Sequence, residues 1–235
     1  MKKIIFVILI LLSSCQSWSE NKSFASELNT YGLKGNVKSY TEKSIKVKFD
    51  KNWSFIEDTV KSYSMKTERY FNEDGFLDSI YYTGKNVTGT KVIYDNLDKN
   101  RRSSFQYDLN GNEISFTRCV SFKDSILEVE TINSKTNITT SISWTKYENK
   151  QVAWQKSKLI ENDLETKNEH IRDNKGLELA IRRTFSFGSN KKQEAKILIK
   201  YIEFDKYGNW TKRIEYSDES QGILITREFI YEERK

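Results

Sequence analysis

The chain has no proline, one histidine and two cysteines in 235 residues. With no proline, every residue keeps the backbone N–H that a sheet ladder needs, so nothing breaks strand pairing from within. One histidine and two thiols cannot furnish a His/Cys metal centre. A Ser-His-Asp arrangement would have to use His170, and no Gly-x-Ser-x-Gly elbow accompanies it. Phosphate loops and dinucleotide fingerprints are absent as well. The sequence therefore names no catalytic residue, no metal ligand and no cofactor. Block charge is missing too: the net +6 is spread as lysines interleaved with acids, which reads as a solvated surface and argues against nucleic acid.

No apolar run is long enough for a bilayer, which takes about 20 residues. The longest, Ile4 to Leu12, follows Lys2 and Lys3 and leads through Ser13 and Ser14 into Cys15. A basic start, a short apolar stretch and small residues before a cleavage point make a secretory signal. Leu12-Ser13-Ser14-Cys15 resembles the lipobox of bacterial lipoproteins. That resemblance implies a signal peptide over 1–14, cleavage before Cys15 and a lipid on that cysteine, which attaches the protein to a membrane. Gln16 rather than Asp after the cysteine is similar to the outer-membrane sorting pattern, so the expected address is the bacterial cell envelope. Residues 15–30 are polar and Ser/Asn/Glu-rich, and are read as a flexible tether. Residues 31–235 are read as a single domain. With Cys15 lipidated, Cys119 has no partner within the chain. It is read as a small packed side chain, with an intermolecular link as the alternative.

What the chain does have is aromatic residues, 13% of the total, and a recurring turn. Asn72, Asp108, Asp173 and Asp205 each stand three positions before a glycine: Gly75, Gly111, Gly176 and Gly208. An Asp or Asn side chain caps the backbone two residues on, and glycine supplies the left-handed φ that starts the return strand. These eight residues are therefore structural turn positions. Three of the four turns carry an aromatic immediately before: Phe71, Tyr107 and Phe204. The middle interval between glycines is nearly double the others, which places one degenerate unit between Cys119 and Leu164. Superficially, Asp108-Leu109-Asn110-Gly111-Asn112 matches a calcium loop. The glycine and glutamate that such a loop requires are replaced by Glu113 and Cys119, so the turn reading stands.

Between turns the pattern alternates with period two. Ile138, Ile142 and Trp144 oppose Thr139, Ser141, Ser143 and Thr145; Val37, Ile45, Val47 and Phe49 oppose Lys38, Lys46 and Lys48. One apolar and one wet face predicts antiparallel sheet. Ile197 to Phe204 is apolar on both faces, predicting a strand covered on both sides. The fold expected is all-β: an extended or curved antiparallel meander of consecutive hairpins, roughly 13–14 strands, with little helix.

The form aromatic-Asp-x-x-Gly-Asn, as in Tyr107 to Asn112 and Phe204 to Asn209, resembles the YD (RHS-type) repeat. Phe204 to Arg213 and Gly32 to Ser39 are similar to segments of Bacteroidetes-type lipoproteins. That resemblance implies consecutive hairpins in a continuing sheet and brings no catalytic residues. The function expected is a non-enzymatic, membrane-anchored envelope lipoprotein presenting a β-sheet surface to protein or glycan. The alternative is a carrier of a lipophilic ligand in a curved half-barrel, which an apolar concave face would favour. Trp144, Trp154, Trp210, Tyr81, Tyr82, Tyr107 and Tyr201 are read as cross-strand packing, with a ligand groove as the alternative.

Overall fold

The structure, a computed structural model, describes residues 26–49, 55–57, 65–84, 87–95, 103–188, 192–217 and 221–232. A one-turn helix, α1 (Glu27–Thr30), precedes fifteen strands. The first five are β1 (Val37–Phe49), β2 (Phe55–Glu57), β3 (Met65–Phe71), β4 (Leu77–Gly84) and β5 (Val87–Asp95). Next come β6 (Ser103–Asp108), β7 (Glu113–Lys123), β8 (Ile126–Asn133), β9 (Thr139–Glu148) and β10 (Gln151–Leu159). The chain ends with β11 (Leu164–Arg172), β12 (Glu178–Phe187), β13 (Gln193–Phe204), β14 (Trp210–Tyr216) and β15 (Gln221–Tyr231).

The meander curves until it closes. From β3 to β15 each strand pairs antiparallel with its neighbour in sequence, and β15 returns to β1 in a register running from Val37↔Tyr231 to Lys48↔Gln221. Fourteen strands thus form a barrel, with the short β2 paired to the far end of β1. Closure removes the exposed edges that a flat sheet of this length would leave open to other chains. Eight strands leave a barrel interior that side chains fill, and sixteen leave an aqueous channel. A barrel of fourteen has room for a ligand.

The turn chemistry is uniform. Gly75, Gly111, Gly176 and Gly208 have φ of 81°, 83°, 82° and 82°. Asp173 Oδ1 accepts the N–H groups of Lys175 and Leu177, and Asp205 Oδ1 those of Tyr207 and Asn209, all at 2.9 Å. Asn72 Oδ1 accepts from Phe76 N–H, and Asp108 Oδ1 from Asn110 and Asn112. Nothing stands within 4 Å of a Cβ built on Gly111, so the dihedral alone calls for glycine there. The long interval contains a variant of the same turn. Asn133 Oδ1 caps Lys135 and Thr136, and Asn137 takes the left-handed position at φ 55°.

Pairing register assigns each side chain to one of two faces. Tyr40, Arg69, Ile80, Val92 and Phe229 share a face, and that face holds the main apolar cluster of Val37, Tyr40, Phe71, Leu77 and Ile80. Leu28 and Leu33, from the segment ahead of β1, pack on the same cluster. This face therefore points inward, and the segment from 26 to 34 crosses one mouth of the barrel. Leu28 N–H donates to Gly75 O at 3.2 Å, and Leu77 N–H donates to Glu27 Oε2 at 2.9 Å. At the other end of the strap, Asn209 grips both backbone groups of Lys34. The last residues of the expected tether are thus a helix seated on the barrel.

A bulge between Val37 and Ser39 moves Val37 to the face opposite Ile45 and Val47, and on two strands the apolar face is the outer one. On β9 the hydroxyls of Ser141, Ser143 and Thr145 point inward, while Ile142 and Trp144 point out, because Thr131, Val129 and Leu127 are their inward partners on β8. On β1, Lys46 and Lys48 share the inward face with Tyr40, whereas Ile45, Val47 and Phe49 lie on the outer one. There Val47, Ile214 and Leu224 make a second apolar cluster of their own. A closed sheet can hydrate its lumen, so the apolar side need not be the inner side. β13 is likewise not covered on both sides: Leu198 and Ile202 are more than a third exposed, as a solvent-facing barrel wall leaves them.

The outer wall is charged around its circumference. Lys43–Glu228, Lys66–Glu68, Lys212–Glu203, Arg182–Glu169 and Lys156–Glu165 pair across or along strands at 2.9–3.5 Å. Such surface pairs contribute at most about 1 kcal/mol each. Among the described residues they place charge on the outside of β1, β3 and β10 to β15, where a transmembrane barrel carries an apolar band.

Candidate functional site

Besides the apolar cluster on β1, β3 and β4, the inward face carries two unlike walls that meet at β11. Along β9, β10 and β11 it carries Ser141, Ser143, Thr145, Gln155, Ser157, Thr166 and Asn168. Hydroxyls and amides face one another across these strands: Ser157 Oγ and Thr166 Oγ1 are 2.7 Å apart, and Arg183 Nε donates to Asn168 Oδ1 at 2.8 Å. A cavity of about 200 Å³ lies along β9, β10 and β11, lined by Ser143, Gln155, Ser157 and Thr166 and also by Trp144 and Lys156. Gln155 faces inward yet is exposed, so water reaches this wall.

The opposite wall, from β11 through β15 to β1 and β3, is a belt of enclosed charge among aromatic rings. Glu42 accepts a hydrogen bond from Arg227 Nε at 2.8 Å and lies 3.7 Å from Arg69 Nη1. Arg213 bonds Glu215 and reaches Glu178 at 3.5 Å, and Glu178 in turn meets Nδ1 of His170. Trp210 lies between two guanidinium groups, with Arg227 Cζ 3.6 Å and Arg213 Cζ 4.3 Å from its ring centroid. Cation–π contacts of this kind strengthen as the cation loses water. Burial opposes ionisation of Glu42, but Arg227 and Arg69 prevail and hold its carboxyl below the usual range. Glu178 behaves alike, burial being outweighed by His170 and Arg213. Burial pushes the Tyr31 and Tyr94 phenols up, with Arg69 pulling the other way.

Among the described residues, four buried nitrogens in this belt have no hydrogen-bond partner: Arg69 Nε and Nη1, Arg213 Nε and His170 Nε2. Natural proteins leave few such groups unpaired, so their concentration here marks the belt as a place where a ligand or ordered water completes the bonding. Among the described residues no group of three or more His, Cys, Asp or Glu is placed to hold a metal ion.

The structure sorts the candidate aromatics into two sets. Trp210, Tyr82 and Tyr201 face the lumen. Trp144, Trp154, Tyr81 and Tyr107 face outward, the first three beneath the ammonium groups of Lys156, Lys167 and Lys91 at 5.1–5.5 Å. Cys119 is half-buried on the lumen side of β7 and is in no disulfide among the described residues. Cys15 lies outside the described residues. The turn residues occupy both rims, Gly75, Gly176 and Gly208 at the strapped mouth and Gly111 at the other. Sequence reasoning missed Glu42, Arg69, Arg213, Arg227 and Glu178. His170, which the sequence gives no catalytic companion, belongs with them. The chain matches no family model and no curated protein, so the site is read from its own geometry.

Proposed function

We propose that this protein is a non-enzymatic, lipid-anchored envelope lipoprotein whose barrel binds a small polar ligand of glycan type in its lumen. One observation carries the reading: an inward wall of serine, threonine, asparagine and glutamine faces a wall of tryptophan, tyrosine and arginine. Hydroxyls and amides exchange hydrogen bonds with a polyhydroxylated molecule, and aromatic faces take its C–H surface. A lipophilic cargo would bury those hydroxyls and amides without partners, at a cost of about 1–3 kcal/mol for each one left unpaired. The polar wall therefore weighs against the carrier alternative. The charged outer surface supports a barrel held near a membrane by its N-terminal lipid rather than one inserted through it.

Two tests separate the parts of this reading. Cys15→Ala is expected to leave the protein out of the membrane fraction, or still carrying its signal; unchanged fractionation would end the anchor proposal. For the lumen, the mature protein is titrated calorimetrically with a panel of neutral and acidic oligosaccharides. Ser143→Ala combined with Ser157→Ala removes two lumen hydroxyls and adds no bulk. Binding is expected to weaken roughly thirtyfold, the equivalent of two hydrogen bonds. Equal binding by the folded double variant would move the ligand elsewhere.

A further inference from the structure

The charge belt is unbalanced where it meets the N-terminal strap. Arg69 and Arg227 both face Glu42, one carboxylate for two guanidinium groups. Its hydrogen bond goes to Arg227; Arg69 stands 3.7 Å off without one. Arg69 thus keeps Nε and Nη1 unpartnered and out of solvent contact. Its guanidinium lies 5.2 Å from the Tyr40 ring centroid and 6.0 Å from that of Tyr31. Tyr82 stands on the neighbouring strand, facing the same space, and Tyr94 follows one strand on. A buried cation with free donors and half a counter-ion is costly unless something anionic completes it. A water molecule can accept the hydrogen bonds, but it brings no charge. Tyr31, whose ring covers Arg69, keeps 39% of its surface exposed, so only this one side chain of the strap stands between that side of the guanidinium and the barrel's exterior.

We propose that the lumen ligand carries an anionic group, carboxylate or phosphate, which seats on Arg69 beneath Tyr31 and accepts hydrogen bonds from Nε and Nη1. This rests on the lumen-binding reading and specifies the charge of what is bound. The strap from 26 to 34 then has a part in recognition, since it delivers Tyr31 to the site.

The test uses the mature lipoprotein in mild detergent, with inorganic phosphate and acetate as probes and chloride at matched ionic strength as control. Melting temperature and the ¹⁵N signal of the Arg69 Nε–H are followed through each titration. A saturable response to phosphate or acetate that chloride does not reproduce is expected, and the stronger of the two probes assigns the group. Arg69→Met keeps the packed stem, removes every donor and is expected to abolish the response. Should that variant not fold, Tyr31→Phe loses only a hydroxyl and is expected to weaken binding about fivefold, the equivalent of one hydrogen bond. No saturable response, or the same response in Arg69→Met, overturns the proposal. If oligosaccharides still bind in a Ser143/Ser157-dependent way while Arg69 ignores both anions, this inference falls and the lumen reading stands. If neither class of probe binds, both fall.

Discussion

Replacing Asn209 with leucine is expected to lower stability by about 3 kcal/mol, a fall in Tm of roughly 10 °C for a domain of this size. Asn209 is 3% exposed and ties together three parts of the chain. Its Oδ1 accepts Lys34 N–H at 2.7 Å, and its Nδ2 donates to Lys34 O and to Tyr231 Oη, both at 2.8 Å. Lys34 ends the strap and Tyr231 ends the last strand, so this one amide clamps the mouth at the seam where β15 meets β1. Leucine fills the space and leaves those groups unpaired. Asn112 holds the equivalent position after Gly111, but its side chain bonds only Asp108 and sits in solvent. Asn112→Leu is expected to cost under about 1 kcal/mol. Thermal unfolding of the two variants side by side decides the matter; equal losses would mean that the motif, not the clamp, sets the effect.

The second large effect is expected at Glu42. Glu42→Gln leaves Arg227 and Arg69 without their carboxylate inside the barrel, and removing one partner from an enclosed ion pair costs about 3 kcal/mol. The same residue sets the acid limit. Folded Glu42 and Glu178 titrate below the ordinary value of 4.5. Each therefore contributes stability that is fully present above that value and is lost as pH falls through the lower, folded one. Wild-type Tm is expected to hold level from neutrality down to about pH 5 and to fall below 4.5, the ordinary value. Glu42→Gln starts lower and declines less steeply over the same acid range. Parallel curves for the two proteins, measured by calorimetry from pH 3 to pH 7, would show that Glu42 has no share in the acid transition.

What could be read in advance follows the range of each interaction. The turns at Gly75, Gly111, Gly176 and Gly208 were legible because an Asp or Asn three residues before a glycine completes its bonding within five residues. The antiparallel meander followed from alternation between those turns. Orientation was not legible, since period two defines two faces without saying which is inside. For Trp144 and Ser143 the answer depends on closure between β1 and β15, some two hundred residues apart in sequence. Bulges hide more. Leu179 is skipped in the pairing of β11 with β12, which turns Glu178 inward toward His170. Thr211 is skipped likewise between β13 and β14, bringing Trp210 onto the face of Arg213. The charge belt draws one or two residues from each of six strands, and no local pattern in any one of them announces it.

The lumen's occupant is the central question, and native mass spectrometry addresses it most directly. The intact lipoprotein would be released from its own envelope in mild detergent, desolvated gently, and its ligand ejected and fragmented. The expected result is a polar, hydroxylated ligand that leaves on denaturation and is missing from the Ser143→Ala/Ser157→Ala protein. A lipid in the lumen, or the same ligand retained by that double variant, would contradict the account.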